Sequence, residues 1–318
     1  MNGINLRKAA IIGCGFVGSS SAFALMQSGL FSELVLIDNN HRKAEGEALD
    51  ISHGLPFARP MEIHAGSYDD IADAAVIVVT AGAAQKPGET RLDLVKRNVN
   101  IFKSIMKEIH RRQCRGTMLV VANPVDILTQ TAIRYSGLPE NHVIGSGTVL
   151  DTARLKHLLG KHLSVDSRGV HAFIIGEHGD TEIPAWSCMH ISGVPLHDFC
   201  EMRGHFEHDA AMQRIADLVK NSAYEIIDRK HATYYGVAMT VKRICEAIVR
   251  DEKSVLPIST MLHGEYGIEG VALSIPAIVG KNGMEGHVPI PINEAEREAL
   301  RASAAKLKAI ADMEIDEE

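Results

Sequence analysis

The sequence predicts an α/β protein in two parts: a doubly wound parallel sheet in the first half and a mixed α+β arrangement in the second. Three observations carry that expectation. Short apolar runs alternate with amphipathic stretches up to about residue 146, and strands alternating with helices imply a parallel sheet. The run "IIGCGFVG" places Gly13, Gly15 and Gly18 directly after the first apolar run and ahead of a helical stretch. Beyond residue 146 both the apolar runs and the helical stretches lengthen.

Taken in order, strands are expected at 9–13, 34–37, about 61–65, 75–79, 117–122 and 142–145. Amphipathic stretches such as 16–29, 41–52 and 91–112 lie between them. In the second half, strands are expected near 168–175, 183–191, 253–265 and 270–280. Long helices are expected at 148–162, 206–229, 231–250 and 294–312. The last starts at Asn293 with Glu296 three residues on, the pattern of a capping box. No linker, repeat or low-complexity segment interrupts the chain. The expected division is therefore 1–146 and 147–318, two domains sharing a rigid interface.

Composition excludes several classes. The 318 residues are 46% hydrophobic, enough for a large core. A net charge of −7 offers no basic surface to nucleic acid and repels anions at long range. An anionic substrate would need local cations. The five cysteines (14, 114, 188, 200 and 245) are scattered, with no C-x-x-C pair. Neither a disulfide framework nor a zinc site is indicated, and a reducing cytoplasm fits. The N-terminus shows no signal-peptide pattern, and no apolar run reaches the ~18 residues that span a bilayer.

The glycines at 13, 15 and 18 form G-x-G-x-x-G. They allow a tight turn and close approach of backbone to a pyrophosphate, which then faces free N–H groups at a helix start. Alone the triplet is weak. Here "LVLID" ends a second strand at Asp38, twenty residues past Gly18. A carboxylate there accepts from both hydroxyls of an adenosine ribose and repels a 2′-phosphate, so NAD is expected rather than NADP. Thr80-Ala81-Gly82-Ala83 and Val121-Ala122-Asn123-Pro124 mark further strand ends facing the same crevice.

NAD implies hydride transfer, and reducing a carbonyl also needs a proton. The stretch "IIGEHGD" (174–180) ends an apolar run on glycine and displays His178 between two carboxylates. Histidine titrates near neutrality and suits the proton role; the alternative is a turn that happens to contain it. Asp151 is a candidate partner for the other ring nitrogen. Arg154, three residues on, shares its helix face and could grip a carboxylate with two bonds, or simply pair with Asp151. The stretch 81–98 reads as a polar loop with Gly82, Pro87 and Gly88, of the kind that closes over a site. Arg91 at its end could polarise a carbonyl, or be a solvated residue at a helix start.

Together, "GCGFVG", "AGAAQKPGETRLDLVKRN", "VANPVDILT", "GSGTVLDTARL", "IIGEHGDTE" and "KHATYYGVAM" resemble the L-lactate/malate dehydrogenase family over nearly the whole chain. The resemblance implies an N-terminal Rossmann domain that binds NAD and a C-terminal substrate domain. His178 would be the proton donor and acceptor, Asp151 its partner, Arg154 the carboxylate anchor and Arg91 the loop arginine. Asn123 would sit beside nicotinamide and substrate, and Thr233 would line the substrate pocket. NAD contacts would come from Gly13, Gly15, Val17, Gly18, Asp38, Lys43, Tyr68, Gly82, Ala83, Ser104, Val121, Asn123 and Ser146.

Malate enzymes of the family carry arginine where this chain has Gln85. An uncharged glutamine favours the methyl group of pyruvate, so reduction of pyruvate to L-lactate is the expected reaction. The alternatives are a malate or branched-chain L-2-hydroxyacid dehydrogenase, or a catalytically idle NAD-binding protein. "GETRL" and "ATYYG" are similar to the bacterial lactate branch, which implies a homotetramer and fructose 1,6-bisphosphate as a possible activator. The phosphate site would use Lys156 and His171, though lysine stands where the family has arginine and loses a bidentate fork. His41, His53 and His110 read as surface residues, and His205 and His208 as ordinary rather than metal-binding ones. The tail "MEIDEE" reads as a solvated end.

Overall fold

The computed structural model describes residues 3–83 and 91–315. Six parallel strands run through the first half: β1 (Asn5–Ile12), β2 (Glu33–Ile37), β3 (Glu62–Ala65), β4 (Ala74–Val79), β5 (Thr117–Val120) and β6 (Val143–Gly145). They lie in the order β3-β2-β1-β4-β5-β6. All six residues of β4 are buried, as expected for a strand covered by helices on both faces. Helices α1 (Phe16–Ser28), α2 (His41–Ser52), α3 (Arg91–Arg111) and α4 (Val125–Tyr135) connect them. The strand order reverses between β1 and β4, so a crevice opens at their carboxyl ends.

Helix α4 was not expected. Seven of its eleven residues, among them Asp126, Thr129 and Thr131, are buried. Buried polar residues interrupt the apolar face by which a core helix is recognised in a sequence.

The second half continues with α5 (Val149–Leu163), β7 (Val170–His171), β8 (Ile174–Ile175), β9 (Ile183–Pro184), β10 (His190–Ile191) and β11 (Val194–Pro195). Helices α6 (Leu196–Met202), α7 (His208–Lys230) and α8 (Tyr235–Val249) follow. Then come β12 (Ser254–His263), β13 (Glu269–Gly280), β14 (Gly283–His287) and α9 (Glu294–Glu314).

Three expectations are corrected here. The runs at 168–175 and 183–191 are not continuous strands. Each changes partners midway: β7 pairs with β10, whereas β8 pairs with β9. An apolar pattern marks burial but not a switch of hydrogen-bond partner. The helix expected from 231 starts at Tyr235, because His231 adopts φ +68° and ends α7. The acidic end is helical through Glu314, and buried Ile315 accepts from the Tyr135 hydroxyl at 3.0 Å.

The halves share one sheet. Strands β12, β13 and β14 add antiparallel to β6, giving nine strands in the order β14-β13-β12-β6-β5-β4-β1-β2-β3. The α9 capping box forms as expected: Glu296 N–H donates to Asn293 Oδ1 at 2.9 Å, and Asn293 N–H to Glu296 Oε2 at 3.1 Å. Among the described residues no helix is long and apolar enough to cross a membrane.

Candidate active site

A cleft of about 700 Å³ opens at the carboxyl ends of β1, β2 and β4. Its floor is the glycine turn. Gly13 has φ +104°, and a Cβ there would stand 2.5 Å from the Ala81 nitrogen. A Cβ on Gly18 would fall 1.8 Å from the Gly13 carbonyl oxygen. Both glycines are therefore demanded by the turn itself. Gly15 differs, since a Cβ there would meet nothing within 4 Å among the described residues. That open space lies over the N-terminus of α1, where free N–H groups favour an anion.

Asp38 ends β2 beside the turn. Its Oδ2 accepts from Cys14 N–H at 2.7 Å and its Oδ1 from Asn40 N–H at 2.9 Å. The carboxylate is thus aimed, with lone pairs left for ribose hydroxyls. Lys43, Tyr68, Gly82, Ala83 and Ser104 line the same cleft. Val17, Gly18, Val121, Asn123 and Ser146 do not line it. Val121 and Asn123 follow β5, and Ser146 follows β6, further along the sheet. Missing from the expected set are Ile101 and Ile105, apolar walls one turn apart on α3. In sequence they look like any core face of a helix.

His178 sits in the turn between β8 and β9. Its Nδ1 lies 2.5 Å from Asp151 Oδ2, and Asp151 Oδ1 accepts from an Arg154 Nη at 2.8 Å. One buried carboxylate on α5 therefore holds both the imidazole and the guanidinium. Burial opposes the imidazolium, but the adjacent Asp151 charge and hydrogen bond outweigh it, with Asp126 adding to them. They raise the His178 pKa to about 9. Burial likewise opposes the Asp151 carboxylate, and His178 and Arg154 more than offset it, so its pKa is lowered. Arg154 and Thr233 line a second cavity, of about 360 Å³, between α5, α7 and α8. Gln85 lies outside the described residues, as does the side chain of Arg91.

The His178 turn is held by residues that sequence reasoning missed. Fully buried Asp126 on α4 accepts from the His178 backbone N–H at 2.9 Å and from the Ser259 hydroxyl at 2.6 Å. Burial pushes its pKa up to about 6 despite both bonds. Ser303 on α9 accepts from Glu177 N–H at 3.1 Å and bonds the Thr181 hydroxyl at 2.7 Å. Tyr224 on α7 donates to Asp180 at 2.8 Å. Buried Asn98 ties the two strand ends together, accepting from Ala83 N–H at 2.8 Å and donating to the Asn123 carbonyl at 2.9 Å. Asp126 falls in the noted "VANPVDILT", but a lone aspartate in a helix start reads as ordinary polarity. Burial pushes the Glu182 carboxyl up to about 8, with the Asp151 charge adding to it.

Lys156 is half-buried, which lowers its pKa, and His171 is exposed. His41, His53 and His110 are exposed. The His205 ring lies tilted against that of His162 and the His208 ring meets that of His197 edge-on, with centroids 4.6 and 4.9 Å apart. Among the described residues no group of three or more metal-ligating side chains could hold an ion.

Comparison with known proteins places this geometry in a family. The profile of the lactate/malate dehydrogenase NAD-binding domain matches residues 7–145, and that of the family's α/β C-terminal domain matches 148–318. An L-lactate dehydrogenase of Acetivibrio thermocellus is 53% identical over 305 residues, covering 96% of each chain. One from Priestia megaterium is 52% identical over 306 residues, again covering 96% of each. Among solved structures, the ligand-bound minor L-lactate dehydrogenase of Enterococcus mundtii superimposes with a TM-score of 0.94 at 45% identity. It is matched over 96% of this chain and 98% of its own. With the glycine turn, the Asp38 carboxylate and the His178–Asp151–Arg154 cluster in place, the chain belongs to the lactate/malate dehydrogenase family.

Proposed function

We propose that the chain is an NAD-dependent L-lactate dehydrogenase that interconverts pyruvate and L-lactate. The observation that carries this reading is the Asp151 carboxylate, which touches both His178 and Arg154. Bound at the cleft, the nicotinamide supplies or accepts the hydride. Gly13, Gly15 and the start of α1 would hold its pyrophosphate, and Asp38 the adenosine ribose. Arg154 anchors the substrate carboxylate. Arg91 stabilises charge on the carbonyl oxygen, and protonated His178 delivers the proton to it. In reverse, neutral His178 takes the proton from the lactate hydroxyl. Asn123 and Thr233 shape the pocket, while Val17, Gly18, Lys43, Tyr68, Gly82, Ala83, Ser104, Val121 and Ser146 complete the cofactor site. Residues 1–146 act as the cofactor domain and 147–318 as the substrate domain.

The setting is fermentative glycolysis in the cytoplasm, with the enzyme a homotetramer. Supporting assembly, Phe57 is 93% exposed, and Phe16, Phe23, Leu49 and Met239 on α1, α2 and α8 are exposed as well. Lys156 and His171 form the fructose 1,6-bisphosphate site. Lys156 pairs with no carboxylate among the described residues, which leaves it free for a phosphate. Fructose 1,6-bisphosphate is expected to lower the KM for pyruvate, and Lys156→Ala to abolish that response. A wild-type saturation curve unmoved by the effector near neutral pH would refute this part.

The deciding experiment is NADH oxidation with pyruvate, oxaloacetate and 2-oxoisocaproate. A second carboxylate in a closed pocket without a countercharge costs several kcal/mol. Pyruvate should therefore be preferred over oxaloacetate by about 10²-fold in kcat/KM, or about 2.7 kcal/mol. Gln85→Arg should shift preference towards oxaloacetate, since arginine brings both charge and a planar fork. An unchanged ratio would remove Gln85 from the pocket, and a wild type that prefers oxaloacetate would make the chain a malate enzyme.

A further inference from the structure

Helix α7 ends at Lys230, where the left-handed turn at His231 redirects the chain into Thr233. This places Lys230 on the wall of the 360 Å³ cavity lined by Arg154 and Thr233, among the apolar side chains of Leu150 and Ile226. The two cations of that cavity are not equivalent. The Arg154 guanidinium is bonded at 2.8 Å to the Asp151 carboxylate, which it shares with His178, so part of its charge is already matched. Neighbouring Arg229 pairs with Glu225 at 3.1 Å, but Lys230 pairs with no carboxylate among the described residues.

What holds Lys230 is aromatic. Its Nζ lies 3.4 Å from the ring centroid of Tyr234 and 4.2 Å from that of Tyr235. A π-face attracts a cation through its quadrupole and carries no net charge. The ammonium is therefore immobilised without being neutralised. Tyr234 in turn stacks on Phe16 of the glycine turn, with centroids 5.4 Å apart and planes at 25°. The lysine is thus fixed relative to the cofactor turn as well as to Arg154. A chain of net charge −7 repels an approaching carboxylate, and a fixed charge at a cavity wall offsets that field locally.

We propose that Lys230, bracketed by Tyr234 and Tyr235, is a steering and positioning cation for the substrate carboxylate on its way to Arg154. The inference rests on the 2-oxo-acid reading above. Lys230 is a positioning residue and does not touch the reacting atoms.

The test is kcat/KM for pyruvate, at saturating NADH, across ionic strength. Lys230→Met is expected to lower kcat/KM about 3- to 10-fold at low salt, with the loss carried by KM rather than kcat. The gap to wild type should close to within about 2-fold near 0.5 M salt, where the Debye length is only a few ångströms. Lys230→Arg should restore most of the low-salt rate, since it returns the charge. Equal kcat/KM at low salt would overturn the proposal, as would a deficit that persists undiminished at high salt. Should Lys230→Met not fold, Lys230→Gln is read the same way. If neither folds, the lysine is a structural clasp and the proposal fails. A wild type inactive on every 2-oxo acid would instead sink the functional reading, and the two failures are distinct.

Discussion

The proposed mechanism turns on the placement of a single proton. His178 is raised to about 9 because Asp151 holds its Nδ1, which outweighs the effect of burial. In the proposed mechanism reduction of pyruvate uses the imidazolium, so its rate should be flat through neutral pH and fall above about 9. Oxidation of lactate needs the neutral ring and should rise over the same window. His178→Asn should keep NADH binding and lose turnover by roughly 10²–10⁴-fold. A variant with near-normal turnover would remove His178 from the mechanism. Asp126 adds its charge to the same balance while holding the His178 N–H at 2.9 Å. Asp126→Asn should therefore move the alkaline limb to lower pH and reduce kcat. A limb that stays in place would show that Asp126 acts on geometry alone.

At the scale of elements, the end of α7 carries a local cost. His231 sits at φ +68°, a left-handed conformation that suits glycine far better than a residue with a Cβ. Its side chain is exposed, so little packing compensates. His231→Gly should stabilise the protein by about 0.5–1 kcal/mol, offset in part by the extra freedom of glycine in the unfolded chain. A urea titration reads this directly, and a destabilised variant would mean that His231 makes contacts worth more than its strain. The same turn ends α7 at Lys230 and starts α8 at Tyr235. The conformation of one residue thereby sets the geometry of the cavity that Arg154 and Thr233 line.

Over the whole molecule, histidines set opposing slopes of stability with pH. Burial lowers His162 and His208, and their histidine neighbours lower them further. Such groups bind fewer protons folded than unfolded. Their contribution is intact above the unfolded value near 6.5 and is lost as pH falls from there through the lowered folded value. Two of their ring nitrogens, His162 Nε2 and His208 Nδ1, are buried without a hydrogen-bond partner among the described residues. His178 has the opposite sign: its contribution is full below about 6.5 and is lost as pH rises towards about 9. Stability from these groups should therefore peak near pH 6.5. Replacing His162 and His208 together with glutamine should flatten the acid side of a plot of urea midpoint against pH. An unchanged acid slope would place the sensitivity elsewhere.

The sequence by itself determined what depends on short stretches of chain. Gly13 and Gly18 are legible because the turn they permit is made by their own neighbours. Asp38 is legible because a strand end twenty residues on is a fixed distance in a β-α-β unit. The Asp151–Arg154 pair follows from helical spacing, and the α9 capping box from three residues. The union of these parts into a dehydrogenase came from six motifs in order, a matter of resemblance rather than of physics. Tertiary structure alone decided what depends on distant segments meeting. Nothing near Asp126 says that it will lie under the His178 turn, since the contact spans 52 residues. Ser303 reaches the same turn across 126. The partner switches within 168–175 and 183–191 were likewise hidden, because alternation of apolar residues records burial and not direction. The same holds for the addition of β12 to β6, and for the aromatic bracket around Lys230. Each of these is a choice among many apolar or polar surfaces of similar composition. Only the simultaneous packing of the whole chain makes that choice.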